Sequence, residues 1–372
     1  MSSFENIELI IGNSGRNFSG GTSITIQLLS YQEKKIKLAV LGSSFIPAEF
    51  KTLTFFQFIK LSRKTLPNGK KRVFYTRRND EMIQGLIAKY FFGSKIKIIF
   101  SSSAQRNHTK FTKWLISKMD SIVATSKKAA SYLLKEPDII IPHGIDLSRF
   151  TLSQSKKESW DLLGFPGSMG IGIFGRVRYS KGIDILVDAA INVLPRHNQA
   201  TLIICGETQV EDLPYKNKML IKIKQAGLEN RVFFLGKKPF EELPKLFQGM
   251  SVVAALSRNE GYGLTPLEGM ASGAAVLTSS AGVWDELVRD EIDGLLEKKY
   301  FTYYYKFLGC IGDICQYYER PTDYPDEDRI DYSTGILKIY CDTLESQQIA
   351  VSYTHLRAHE TRGNLVCRLL LE

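Results

Sequence analysis

The sequence predicts a two-domain α/β protein: two doubly wound, Rossmann-like sheets facing each other across a cleft. Three observations carry this prediction. Short β-like runs alternate with helical patterns of about 10–15 residues, the rhythm of parallel βαβ units. The runs are almost continuously apolar, as strands covered by helices on both faces must be. The series also restarts after a Pro-His-Gly-Ile-Asp stretch at 142–146, in a chain of 372 residues, more than one core ordinarily serves.

In chain order, IELIIG (7–12), IKLAVLG (36–42), KRVFYT (71–76), KIKIIFSS (95–102), SIVATS (121–126) and DIIIPHG (138–144) read as the first series of strands. Helices are predicted between them over 80–92 and 108–119. GIGIFG (170–175), TLIICG (201–206), RVFFLG (231–236), SVVAALS (251–257) and AAVLTS (274–279) form the second series, with helices over 181–194, 240–248 and 265–272. The domains are therefore drawn at 1–143 and 144–297. From residue 298 the chain turns Tyr- and Cys-rich, then acidic, and its last 22 residues continue no upstream pattern. Residues 298–372 are set apart as an atypical C-terminal segment, and a divergent C-terminal cap and a tail foreign to the natural protein both fit its last 22 residues.

Apolar residues make up 44% and charged residues 24%, which excludes a disordered chain, a collagen-like fibre or a disulfide-stapled mini-protein. The N-terminus has no basic region followed by a long apolar run, and a cytoplasmic protein is expected. Five cysteines fit a reducing compartment. Cys205 reads as a core residue, and Cys310, Cys315, Cys341 and Cys367 lack zinc-ligand spacing. Net charge is +10 and unevenly spread: residues 1–145 hold 23 Lys and Arg against 9 Asp and Glu, and the remainder 26 against 30. A basic half of +14 suits a polyanionic partner or plain solubility. Nucleic acid is not expected as that partner, because no aromatic-rich RNA- or DNA-binding motif is present.

Two segments carry the chemistry. Gly170, Gly172 and Gly175 match GxGxxG, but the first two fall inside a predicted strand and no acid follows at the needed spacing, so no dinucleotide site is read there. Beyond them, Gly175-Arg176-Val177-Arg178-Tyr179-Ser180-Lys181-Gly182 puts two cations, Arg176 and Lys181, at a strand's carboxyl end, where both can reach a diphosphate. Ser257 to Gly273 holds Glu260 and Glu268 around a glycine-rich loop. Thr265-Pro266-Leu267-Glu268 fits a capping box, so Glu268 is either a cap or a ligand group. Glu260 and the amides from Gly261 to Thr265 suit a sugar or a phosphate.

These residues resemble the donor domain of the retaining family 4 glycosyltransferases of GT-B fold, whose E-x7-E signature is matched by Glu260 and Glu268 after a GR…KG element. Phe18–Ser23, Arg77–Ile83, Ser103–Thr109 and Phe111–Ile116 resemble the lipopolysaccharide core mannosyltransferases of Gram-negative bacteria. The resemblance spans roughly 8–297 and departs where the family has a helix crossing back to the N-terminal domain. It implies that Arg176 and Lys181 hold the nucleotide diphosphate and that Glu268 binds ribose hydroxyls. Glu260, Gly261, Tyr262, Gly263, Leu264 and Thr265 would grip the hexose. Gly20 and Gly21, on the loop after the first strand, would approach diphosphate and acceptor beside Gly175. His108 would lie near the reacting carbon, or be a solvated first-turn histidine, and His143 would be a linker residue.

The implied reaction is transfer of mannose from GDP-mannose, with retention, onto the lipid A–core oligosaccharide. No metal and no cofactor is expected, since two cations can do a metal's work on the leaving diphosphate. The basic half would meet the anionic inner membrane, making the protein peripheral at its cytoplasmic face. Two alternatives stand beside this reading: a UDP- or ADP-sugar donor with another acceptor, or a protein that binds without turnover.

Overall fold

A computed structural model describes residues 5–15, 20–288 and 295–297. The division between its two compact units falls between Ile145 and Asp146. The expectations for residues 298–372, including four of the cysteines and the crossing helix, lie outside the described residues.

The first unit runs β1 (Leu9–Gly12), α1 (Gly20–Glu33), β2 (Leu38–Leu41), β3 (Thr52–Leu53), α2 (Phe55–Ser62), β4 (Arg72–Thr76), α3 (Asn79–Phe91), β5 (Ile96–Ser102), α4 (Lys110–Ile116), β6 (Ser121–Ala124), α5 (Lys127–Ala130) and β7 (Ile139–Ile140). Its seven strands pair in parallel in the order β3-β2-β1-β4-β5-β6-β7. Both faces are apolar because both are covered. Leu9 and Ile11 cluster with Leu29 of α1, whereas Ile10 clusters with Phe58 of α2 and Ala88 of α3. Met82 of α3 joins Leu115 and Ile116 of α4 over Phe100 and Ile122.

The second unit runs α6 (Lys156–Asp161), β8 (Met169–Phe174), α7 (Ile183–Val193), β9 (Ala200–Cys205), α8 (Leu213–Gln225), β10 (Val232–Gly236), α9 (Leu243–Gly249), β11 (Met250–Ala255), α10 (Thr265–Ala271), β12 (Ala275–Ser279), α11 (Trp284–Leu287) and β13 (Leu295–Glu297). All six strands are parallel, in the order β10-β9-β8-β11-β12-β13. Ile171 and Ile173 cluster with Leu186 and Val187 of α7 and with Met219 and Ile223 of α8. On the other face, Phe174 stacks on Phe247 at 3.9 Å between ring centroids. Gly170 and Gly172 lie within β8, where a side chain at 170 would run into the Trp160 ring and one at 172 into Phe174 and Met250. Those glycines serve packing. Cys205 is buried at the end of β9, and burial pushes its thiol up to about 11.

Three expectations need correction. Gly20 and Gly21 open α1 instead of lying on a loop. The helix expected from His108 starts at Lys110, because Thr109 caps it by accepting the Thr112 amide at 3.2 Å. His108 therefore precedes the cap. No capping box forms at α10: Thr265 is its first helical residue, and Leu264 stands at the N-cap with helical angles and no side-chain cap bond.

Candidate active site

In the second sheet the chain winds from β8 out through β9 and β10, then returns to β11 on the other side of β8. The loops after β8 and β11 thus leave adjacent strand ends at the point where the winding reverses, which is where open α/β sheets bind ligands. The two chemistry-bearing segments are those two loops.

The loop after β8 is tightly specified. Gly175 has φ +130°, and its amide donates to the Cys205 carbonyl at 2.9 Å. Gly206 lies directly behind, where any β-carbon would collide with the Gly175 carbonyl. A single 3₁₀ turn, Tyr179–Lys181, follows and ends at Gly182 with φ +68°. A β-carbon at 182 would strike the Leu256 carbonyl at the end of β11. These constraints deliver Lys181 across the strand ends to Glu260. Lys181 Nζ and Glu260 Oε2 form an ion pair, each side chain keeping 18% of its exposure. Ser257 Oγ donates to the same carboxylate oxygen at 3.2 Å.

Gly175, Lys181, Ser257, Glu260, Thr265 and Trp284 line one recess. Its wall is secured by Trp284 of α11, whose Nε1 donates to the Gly263 carbonyl at 2.9 Å. Gly263 has φ +83° and presses against the indole, so no side chain fits there. Tyr262 and Leu264 are buried. Their side chains therefore belong to the packing, while the backbone of the loop remains for a ligand. The amides of Gly261, Gly263 and Leu264 donate no hydrogen bond among the described residues.

Arg176 and Glu268 are not among the residues that line the recess. Arg176 is exposed and donates to Gln209 Oε1 at 3.2 Å. Glu268 stands in the first turn of α10. Desolvation pushes its carboxyl up to about 7, against the pull of Arg149. Arg149 itself donates to the Phe240 carbonyl at 2.8 Å and lies 3.8 Å over that ring. Gly20, Gly21 and His108 belong to the first unit. Burial, then Arg106 and Lys113, hold the His108 imidazole below its ordinary value and so favour its neutral form. Its Nε2 is buried without a partner among the described residues. His143 is buried with Nε2 at 3.3 Å from Ser103 Oγ, consistent with an architectural position.

The first unit has its own winding reversal, between β1 and β4. Buried Glu81 on α3 organises it, accepting the amides of Ser14 at 3.3 Å, Arg77 at 2.7 Å and Arg78 at 3.2 Å. Arg77 in turn reaches the carbonyls of Gly12 at 3.0 Å and Gly21 at 2.9 Å. The start of α1 is thereby tied to β4.

Sequence reasoning gave no role to Arg258, Asp184, Tyr215 or Trp284. Arg258 forks onto Asp184, with Nη1 to Oδ1 and Nη2 to Oδ2 both at 2.8 Å. Tyr215 OH donates to Asp184 Oδ1 at 2.8 Å. A carboxylate in the first turn of α7 was the one available signal, since helix N-termini favour acids there.

Comparison with known proteins accords with this arrangement. Residues 163–302 match the family described as glycosyl transferases group 1. The chain is 38% identical over 289 residues to the lipopolysaccharide core biosynthesis mannosyltransferase LpcC of Rhizobium leguminosarum, covering 77% of this chain and 81% of that protein. It is 36% identical over 291 residues to LpsB of Rhizobium meliloti, of the same description, with the same coverage. Among solved structures, a glycosyltransferase from Rickettsia africae superposes with a TM-score of 0.77 at 16% identity, covering 99% of each chain. HepE of Anabaena, solved with UDP and glucose, gives 0.73 at 17% identity, covering 96% of this chain and all of that one. The two parallel-sheet α/β domains are those of the GT-B glycosyltransferases, and the chain belongs to the group 1 glycosyltransferase family as an enzyme that transfers glycosyl groups.

Proposed function

We propose that the enzyme transfers mannose from GDP-mannose onto the lipopolysaccharide core oligosaccharide, with retention at the anomeric carbon, as a family 4 transferase. The observation that carries this reading is the Lys181–Glu260 pair in the recess at the winding reversal, in a chain 38% identical to a core mannosyltransferase. In this reading Lys181, with Arg176, takes the diphosphate and stabilises the charge that grows on it as the glycosidic bond breaks. Glu260 and the amides of Gly261 to Thr265 hold the hexose, and Glu268 holds the ribose hydroxyls. Leaving phosphate and acceptor share one face of an oxocarbenium-like sugar, so Glu260 orients and does not attack. The two cations supply what a divalent metal supplies elsewhere, and transfer is metal-independent.

The acceptor is phosphorylated and lipid-linked, which suits a first unit of charge +14 over residues 1–145. Helices α2, α3 and α4 of that unit also expose Phe56, Tyr90, Phe91, Phe111 and Trp114. Aromatics interleaved with lysines favour an anionic bilayer surface, here the cytoplasmic face of the inner membrane. No helix among the described residues is long and apolar enough to cross a membrane. The deciding experiment measures binding of GDP, UDP, ADP and their sugar conjugates in chelator, followed by transfer to core acceptor. Selective tightening by GDP-mannose and turnover without metal are expected; preference for another base overturns the donor assignment.

A further inference from the structure

We infer that Arg258 is a positioning residue of the donor recess: it fixes the turn that presents Lys181 and does not itself bind the ligand. The inference rests on the reading of Lys181 as a diphosphate-binding cation. A cation two residues before Glu260 has the charge for a third phosphate ligand. Its hydrogen bonds say otherwise. Nη1 donates both to the Tyr179 carbonyl at 2.6 Å and to Asp184 Oδ1, and Nη2 donates to Asp184 Oδ2. The guanidinium face lies 3.8 Å over the Tyr179 ring. The fork and one face are thus committed inside the protein, which leaves little of an arginine's recognition surface for an anion.

What those contacts grip is the 3₁₀ turn that carries Lys181. The Arg258 amide donates to the Ser180 carbonyl at 2.8 Å, so backbone and side chain of one residue hold two consecutive carbonyls of that turn. Asp184 anchors the other end. It belongs to the first turn of α7, and its amide donates to Tyr215 OH at 2.9 Å while its carboxylate accepts from that same hydroxyl. Burial would raise the Asp184 carboxyl, but the bonds from Arg258 and Tyr215 outweigh it and hold the group below its ordinary value, ionised. The loop after β11 therefore holds the Lys181 turn twice: Arg258 grips its backbone and Glu260 its ammonium. Arg258 restricts where the ammonium can go when a diphosphate displaces Glu260, and pre-positioned cations bind with less ordering loss.

The test separates positioning from direct binding. Calorimetric affinities for GDP and GMP, with UDP/UMP and ADP/AMP as parallel pairs, are measured on wild type, Lys181→Ala, Arg258→Ala and the double variant. Arg258→Ala is expected to lose about tenfold in diphosphate affinity with little change for the monophosphate. The double variant should fall no further than Lys181→Ala alone. Arg258→Lys, which cannot form the fork, should not rescue, and Asp184→Asn should give an intermediate loss. A folded Arg258→Ala with unchanged diphosphate-over-monophosphate preference overturns the inference, as does full additivity in the double variant, which would make Arg258 a direct ligand. If Arg258→Ala and Asp184→Asn both unfold, the residue serves the fold and the inference fails. Wild type without any diphosphate preference removes the Lys181 reading and this inference together. A preference lost with Lys181 but kept in the other two variants removes the inference alone.

Discussion

Lys181 is a cation already held by a carboxylate, and the pair is largely shielded from water. Lys181→Ala is expected to lower transfer about 10²-fold or more, the usual loss when one charge-stabilising donor is deleted. Its circular dichroism should stay that of wild type; near-normal turnover would sink the phosphate assignment. Glu268 yields a prediction in pH. Its folded pKa of about 7 lies above the ordinary carboxylate value, chiefly through desolvation. The neutral form is thus favoured in the fold, so its stabilising contribution is complete in acid and lost as pH rises through about 7. Thermal melts of Glu268→Gln should show a gain of a few degrees over wild type at pH 8 and almost none at pH 4. An equal gain at both would remove the desolvation argument. At this scale the sequence exposed the chemically costly residues but not their partners. Glu260 was legible, because nothing local explained a carboxylate there. Arg258 was not, because its partner Asp184 is 74 residues away and only the winding of the sheet brings them together.

At the level of elements, turns with no room for a side chain govern the site. Gly182→Ala must accept φ +68° and a β-carbon aimed at the Leu256 carbonyl. The change should cost about 1–3 kcal/mol of stability and weaken diphosphate binding, since the turn bearing Lys181 has to move. Denaturant melts and nucleotide titration check it; an unperturbed melt would mean the turn relaxes freely. Strands were the most legible elements, because strands buried on both faces are written as unbroken apolar runs. Among the helices not anticipated, α1, α2 and α8 each have their own reason. α1 opens with two glycines and β-branched residues, and α8 buries only Met219 and Ile223 along a largely polar stretch. α2 is short and signalled chiefly by Thr54 and Gln57, which exchange cap bonds at 2.8 and 3.3 Å. The expected capping box at α10 failed for the opposite reason. Its residues are right, but the preceding loop is pulled onto Trp284 and Val283, and Thr265 enters the helix itself.

For the molecule as a whole, charge divides the chain unevenly. The first unit carries +14 over residues 1–145, and Phe91 and Phe56 on its helices keep 82% and 80% of their exposure. Binding to phosphatidylglycerol vesicles is expected to weaken as salt rises, while Phe91→Ser and Trp114→Ser should weaken it at every salt concentration. Equal binding to uncharged vesicles would discard the electrostatic part. The two-domain plan was visible in the sequence because the strand series restarts, whereas the arrangement of each sheet depends on crossover order, which no single segment encodes. The neutralised ammonium of Lys181 has a last consequence, concerning competition. Inorganic phosphate is an anion that a bare cation in an open recess would also attract. With Glu260 as an internal counter-ion, a small anion gains only an exchange of one partner for another. A ligand that brings a base, a ribose and a sugar gains contacts elsewhere as well, and only such a ligand has reason to open the pair. If Lys181 takes the diphosphate as proposed, the pair with Glu260 gives the recess a bias against small anions.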